Sequence, residues 1–177
     1  MKSILFLCVG LFFSTSMFSQ NSAYTEAATQ CLKSNGTTAY YETVFNACFK
    51  QMQDQYAKFN IPSDTWVELK SIKAEAMATV NSKLVSAYSE YFTIEDVQNM
   101  NALYGSQAGK TMIKNPNGLT KKDKKQIDSF YKSSTGKKIV SSESGMKDKM
   151  QLISDFWCGD MYKTVNSKLE AKGFSIR

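Results

Sequence analysis

The chain carries an internal duplication, and a repeated unit must bury the same faces twice. Phe92-Thr93-Ile94-Glu95-Asp96 through Gly109-Lys110-Thr111-Met112-Ile113 recurs at an offset of 27 positions as Leu119-Thr120-Lys121-Lys122-Asp123 through Gly136-Lys137-Lys138-Ile139-Val140. Thr93/Thr120, Asp96/Asp123, Tyr104/Tyr131, Ser106/Ser133, Gly109/Gly136 and Lys110/Lys137 are identical, and Phe92/Leu119, Met100/Ile127, Leu103/Phe130 and Met112/Ile139 keep their character. A unit of this length is one supersecondary element. Thr93 and Thr120 are placed to cap a helix, each with an acid at the third helical position, which resembles a capping box and suits the positive helix end. Each of these helices is expected to end near its tyrosine, after which Ser106 or Ser133 caps a second, shorter helix. Gly109 and Gly136, lacking a Cβ, let the two helices approach closely. The duplication therefore predicts two tandem helix-turn-helix hairpins, roughly 92–114 and 119–142, separated by Asn115-Pro116-Asn117-Gly118.

The rest of the chain has helical rather than alternating periodicity. A short helix is expected over Ala23–Leu32, stopped by Asn35-Gly36. Thr37 or Thr38 then caps a helix whose Tyr41, Val44, Phe45, Cys48, Phe49, Met52 and Tyr56 recur at three- and four-residue steps. Asn60-Ile61-Pro62 closes it. Ser63 is expected to cap one long helix with Trp66, Leu69, Ile72, Ala76, Val80, Leu84 and Tyr88 on a single face. A last long helix is expected from about Gly145 to Ala171, with Met146, Met150, Ile153, Trp157, Met161, Val165 and Leu169 inward. Two prolines and nine glycines in 177 residues favour helices over a turn-rich β fold. The expected fold is all-α, a single-domain bundle of about seven helices.

Residues 1–20 have the parts of a secretory signal peptide: Lys2, an uncharged apolar run from Ile4 to Phe13, and a small polar exit at Ser14–Gln20. That run is short of the roughly 20 residues a membrane-spanning helix needs. Cleavage near Ser19 or Gln20 leaves residues 21–177 as one helical domain, with no later stretch apolar enough to cross a bilayer. A periplasmic or secreted location is expected.

Phe92-Thr93…Glu95-Asp96…Leu103-Tyr104…Ser106…Ala108-Gly109-Lys110, preceded by a turn at Ser34-Asn35-Gly36 and a long helix from Trp66 to Tyr88 and Phe92, resembles the signature of domain of unknown function 2059. That family comprises small exported bacterial proteins. Gly105 before the serine and Gln107 after it depart from the family pattern, and in the second copy Lys121 and Lys122 stand where acids usually begin. The resemblance implies an α-helical bundle and no established activity.

The sequence contains no histidine. Ser-His-Asp and Cys-His catalysis and the His-containing zinc sites are thereby excluded. Three motifs suggest chemistry and lack the partners it requires. Gly105-Ser106-Gln107-Ala108-Gly109-Lys110-Thr111 is one residue short of a phosphate-binding loop and follows no strand. Ser-x-x-Lys at Ser129/Lys132, Ser134/Lys137 and Ser144/Lys147 comes without Ser-Asp-Asn or Lys-Thr-Gly. Trp157-Cys158-Gly159-Asp160 lacks the second cysteine of a thioredoxin-type motif. No catalytic, cofactor-binding or metal-binding residue is assigned, and no cofactor is expected. Three cysteines survive signal cleavage; for an exported chain the expectation is a disulfide from Cys158 to either Cys31 or Cys48, with three buried unpaired thiols as the alternative.

Eleven lysines against four acids lie between Lys110 and Lys149. Lys110, Lys114, Lys121, Lys122, Lys124, Lys125, Lys137 and Lys138 form a candidate face for an anionic partner, such as an envelope polysaccharide or lipid, rather than nucleic acid. Arg177 is the single arginine, which argues against bidentate phosphate recognition. The leading expectation is a non-catalytic binding or envelope-associated protein that uses this face, a groove between hairpins, or another envelope protein as partner. The alternatives are a structural, oligomer-forming helical protein and a Ser-Lys or carboxylate hydrolase.

Overall fold

The computed structural model describes residues 14–175. Among them eight α-helices follow one another and no strand occurs: α1 (Ser14–Ser34), α2 (Thr37–Gln55), α3 (Ser63–Lys70), α4 (Lys73–Tyr91), α5 (Ile94–Gly105), α6 (Gln107–Lys114), α7 (Lys121–Lys132) and α8 (Ser134–Ala171). The protein is an all-α bundle. α1 lies along α5, α4 lies along α8, and α2 packs against α1, α4 and α8. Residues 1–13 of the expected signal segment lie outside the described residues. No described helix is long and apolar enough to cross a membrane.

The repeated unit has the mechanics its residues predict. Both capping boxes form: Thr93 accepts from the Asp96 amide while Asp96 accepts from the Thr93 amide, and Thr120 and Asp123 do the same. At each corner the serine hydroxyl oxygen accepts the glycine amide, Gly109 to Ser106 and Gly136 to Ser133, both at 3.1 Å. The same hydroxyls donate to the carbonyls of Leu103 and Phe130, both at 2.6 Å. A Cβ on Gly109 would stand 2.0 Å from the Leu103 carbonyl oxygen, and one on Gly136 would stand 2.2 Å from that of Phe130. The second helix starts directly against the end of the first, so only glycine fits.

Five features of the helix ends differ from expectation. The second hairpin's short helix does not stop near 142; it runs on as α8, a single helix of 38 residues that includes the last expected helix. The repeat supplies the reason. Asn115-Pro116-Asn117-Gly118 in the first copy corresponds to Ser142-Glu143-Ser144-Gly145 in the second. Without the proline nothing disfavours helix at the preceding residue or removes an amide donor. Conversely, the expected helix from Ser63 to Tyr88 is two helices. Ser71 and Ile72 stay in helical conformation, but their amides bond three residues back, to Glu68 and Leu69, and the tightened turn separates α3 from α4. Pro62 occupies the N-cap, so Ser63 is the first helical residue and caps nothing. Neither Thr37 nor Thr38 caps α2: Gly36, at φ +88°, is the N-cap, and the Asn35 side-chain oxygen takes the Thr37 amide at 3.0 Å. Finally, α1 begins well before Ala23.

The core sits where α2, α3, α4 and α8 meet. Trp157 is 2% exposed, and its indole N–H donates to the Ala76 carbonyl at 2.8 Å. It meets the Tyr41 ring edge-on at 5.4 Å and the Phe45 ring at 6.5 Å. Leu69, Val80, Leu84, Val165 and Leu169 belong to the same buried cluster, as their helical spacing predicts.

The corner geometry predicts opposite signs for two alanine substitutions. Gly109→Ala forces the corner apart and costs about 2–3 kcal/mol, as overpacking does. Gly159→Ala, where a Cβ meets nothing within 4 Å, gains roughly 0.5–1 kcal/mol from reduced backbone entropy in a helix interior. Urea denaturation of the two variants against the parent chain measures both.

Candidate functional site

α8 forms one side of a concave surface completed by four neighbouring helices. A cleft of about 620 Å³ opens along it, walled by α2, α4, α5 and α7. The α8 wall is Ile139, Val140, Ser142, Glu143, Met146, Lys147, Met150, Gln151 and Ser154. Facing it are Tyr40 and Tyr41 from α2, Tyr88 and Phe92 from the end of α4, Met100 and Tyr104 from α5, and Tyr131 from α7. Five tyrosines and three methionines give it an apolar body studded with hydroxyls. Its volume lies in the range of roughly 300–1,000 Å³ of small-molecule sites.

Local contacts hold the tyrosines. The Tyr41 hydroxyl donates to the Met150 carbonyl at 3.3 Å and lies 2.9 Å from the Ser154 hydroxyl, joining α2 to α8. Tyr88 accepts the Asn35 side-chain N–H at 3.0 Å. Burial pushes the hydroxyls of Tyr41, Tyr88 and Tyr104 above the ordinary phenol value, so all three are neutral at physiological pH. The formal charges on the lining are Glu143 and Lys147, both on exposed positions of α8. Such a surface suits an uncharged apolar or aromatic group with a few hydrogen-bonding atoms. Methionine side chains adapt to the outline of such a guest.

Tyr104 and Tyr131 are half-buried, with part of each ring on the cleft wall. α5 buries Val97, Met100 and Leu103, whereas α7 has no fully buried residue.

The repeated aspartates also part company. Asp123 is a solvent-facing cap. Asp96, at 5% exposure, is tied to the start of α8: Thr135, itself 1% exposed, donates to it at 2.9 Å, and the Lys138 ammonium donates to its other oxygen. Thr93 adds its amide and hydroxyl, both at 2.9 Å, and Asn99 donates to the Thr135 hydroxyl at 3.2 Å. Burial works to raise the Asp96 carboxyl, and the bonds from Lys138, Thr93 and Thr135 outweigh it, bringing it from 3.8 to about 2. Lys138 thus leaves the candidate anionic-partner face; it serves as the counter-ion of a buried carboxylate. Lys110, Lys114, Lys121, Lys122, Lys124, Lys125 and Lys137 are exposed, the first six on the adjoining helices α6 and α7. Asp96 was legible as a cap; nothing in its sequence surroundings marks Thr135 and Lys138, about forty residues away, as its partners.

Cys31 is fully buried against Met100, and burial raises its thiol to about 12. Cys48 and Cys158 are half-buried, with their sulfurs 2.8 Å apart. Among the described residues no group of three or more His, Cys, Asp or Glu side chains is arranged to hold a metal ion. The remaining motifs sit in helix ends and faces. Ser106 and Gly109 are the corner of the hairpin, Ser129 donates to the Lys125 carbonyl, and Trp157-Cys158-Gly159-Asp160 lies within α8. No family model, curated protein or solved structure matches this chain.

Replacing Asp96 isolates this latch. Its folded carboxyl titrates below the unfolded value, so its contribution is complete above about pH 5, falls as acid protonates the unfolded chain first, and is gone below about pH 2. Asp96→Asn is expected to cost about 2 kcal/mol at pH 7, the usual scale for an acceptor taken from buried donors. The difference between parent and variant narrows from pH 5 to pH 2 in urea melts monitored by circular dichroism; a difference constant with pH contradicts the assignment.

Proposed function

We propose that this protein is a non-catalytic binding protein of the bacterial envelope, and that its working site is the cleft along α8. The reading rests on one observation: a cleft of about 620 Å³ in the side of the bundle, lined by tyrosines and by methionines. Its ligand class is a small molecule, or the end of a larger one, with an apolar or aromatic body and few charges. Burial of that body supplies the driving force, at roughly 25 cal/mol per Å² of apolar surface removed from water, and the tyrosine hydroxyls orient it. The export signal and the resemblance to domain of unknown function 2059 belong to the same proposal, supported by residues 1–20 and by the repeated Thr-x-x-Asp…Tyr-x-Ser-x-x-Gly-Lys units.

A second reading has its own observation. Seven exposed lysines on α6 and α7, against an exposed Asp128 and with Asp123 occupied as a cap, make a basic surface suited to an anionic envelope component. The two readings differ in salt dependence, because screening weakens exposed charges and leaves apolar burial nearly untouched.

Titration with the neutral dye N-phenyl-1-naphthylamine is expected to show saturable one-to-one brightening that differs little between about 50 and 300 mM salt. Ser142→Trp, which fills the cleft from the α8 wall, is expected to weaken binding at least tenfold. Replacing Lys121, Lys122, Lys124 and Lys125 together by Gln should leave it unchanged. Dye binding indifferent to Ser142→Trp rejects the cleft. Co-sedimentation with anionic vesicles that is lost at high salt and in the Gln variant supports the lysine surface instead.

A further inference from the structure

We infer that Cys48 and Cys158 form a disulfide in the mature protein, leaving Cys31 as a permanently reduced core thiol. The observation is geometric. Cys48 on α2 and Cys158 on α8 stand 110 positions apart in sequence, and their sulfurs meet at 2.8 Å. Two unbonded sulfur atoms rest farther apart than this, while a disulfide bond holds them at about 2.05 Å. From 2.8 Å, closing the bond draws the sulfurs together by about 0.75 Å. One turn from Cys158 along α8, Ser154 receives Tyr41 from α2; Trp157 contacts Tyr41 and Phe45.

The three described cysteines differ in access. Cys31 has no exposed surface and faces a methionine sulfur, so neither an oxidant nor a second thiol reaches it. Cys48 and Cys158 are half-buried at the α2–α8 seam and are reachable by a small disulfide. The chemistry is thiol–disulfide exchange with an oxidant of the disulfide class. The thiolate of one cysteine attacks a sulfur of the oxidant, forming a mixed disulfide and expelling one thiolate. The thiolate of the other then attacks the protein sulfur of that mixed disulfide, closing the Cys48–Cys158 bond and expelling the second. The protein loses two electrons and two protons, and the oxidant becomes two thiols. Burial raises the Cys158 thiol to about 12, which slows exchange at neutral pH and is relieved in mildly alkaline buffer.

The bond would close a long loop and pin α2 to α8, the two helices that carry Tyr40 and Tyr41 on one wall of the cleft and Met150 and Ser154 on another. The inference does not depend on the cleft being a binding site.

Peptide mapping of the full chain tests it. The protein is incubated with oxidised glutathione in mildly alkaline buffer, alkylated without reduction, and digested with trypsin. Trypsin places Cys48 in residues 34–50 and Cys158 in residues 150–163, apart from Cys31. The expected product is these two peptides joined, lighter by two hydrogens than their sum, with Cys31 alkylated once the chain is unfolded. The oxidised protein is also expected to melt several degrees higher than the reduced one, a difference absent from a Cys48→Ser, Cys158→Ser double variant. Recovery of both peptides singly alkylated after oxidation overturns the inference, as does a link from Cys158 to Cys31. Because the map is made on the parent chain, a double variant that fails to fold leaves the result intact.

Discussion

A buried carboxylate fixes how the two copies of the repeat sit on one another. Asp96 closes the first turn of α5, and its remaining hydrogen-bonding capacity goes to Thr135 and Lys138 in the first turns of α8. A charge withdrawn from water is tolerated only when paired and hydrogen-bonded, and each of these donors has a fixed direction. The start of α8 is therefore held to the start of α5 in one arrangement. Farther along, α8 is held again where Tyr41 meets Ser154 and where the Trp157 indole meets the Ala76 carbonyl. The cleft lies along the stretch between these anchors, where Ile139, Met146 and Met150 are only half covered.

The duplication shows how identical local instructions produce unequal tertiary roles. Both copies build the same box and the same serine–glycine corner, because those contacts reach only three or four residues along the chain. The copies diverge in what covers them. α5 lies along α1 and buries Val97, Met100 and Leu103; α7, with lysines at Lys121, Lys122, Lys124 and Lys125, stays at the surface. The proline difference after the corner adds to this divergence. Pro116 ends α6 and turns the chain, whereas Glu143 at the equivalent position lets α8 continue for almost eight more turns along α4 and α2. A single repeat unit thus becomes a hairpin in one copy and the beginning of the longest helix in the other.

The function proposed for this arrangement is recognition. The cleft offers apolar area, polarizable sulfur and tyrosine hydroxyls, the features on which the proposed binding role rests. The Cys48–Cys158 pair contributes stiffness between two of its walls. The surface lysines are a separate property of α6 and α7, useful for dispersal in water or for attraction to anions.

The sequence by itself determined the helical class, the repeat, both capping boxes, both corners, and the inward faces of α2 and of the second half of α8. These rest on contacts within one or two turns, which residue spacing encodes directly. Helix ends were less legible where one weak signal stood alone: Ser63 and Thr37 have good capping chemistry, but Pro62, Asn35 and Gly36 had already set the backbone. The site was not legible. Tyr104, Tyr131, Met146 and Met150 have core spacing, and spacing states only which side of a helix is apolar, not whether a neighbouring helix arrives to cover it. Only tertiary structure decided that Lys138 answers Asp96, that Cys48 rather than Cys31 meets Cys158, and that α8 and four neighbouring helices leave a cleft between them. Each depends on positions from about forty to more than one hundred residues apart, where packing of whole helices, not local preference, sets the distance.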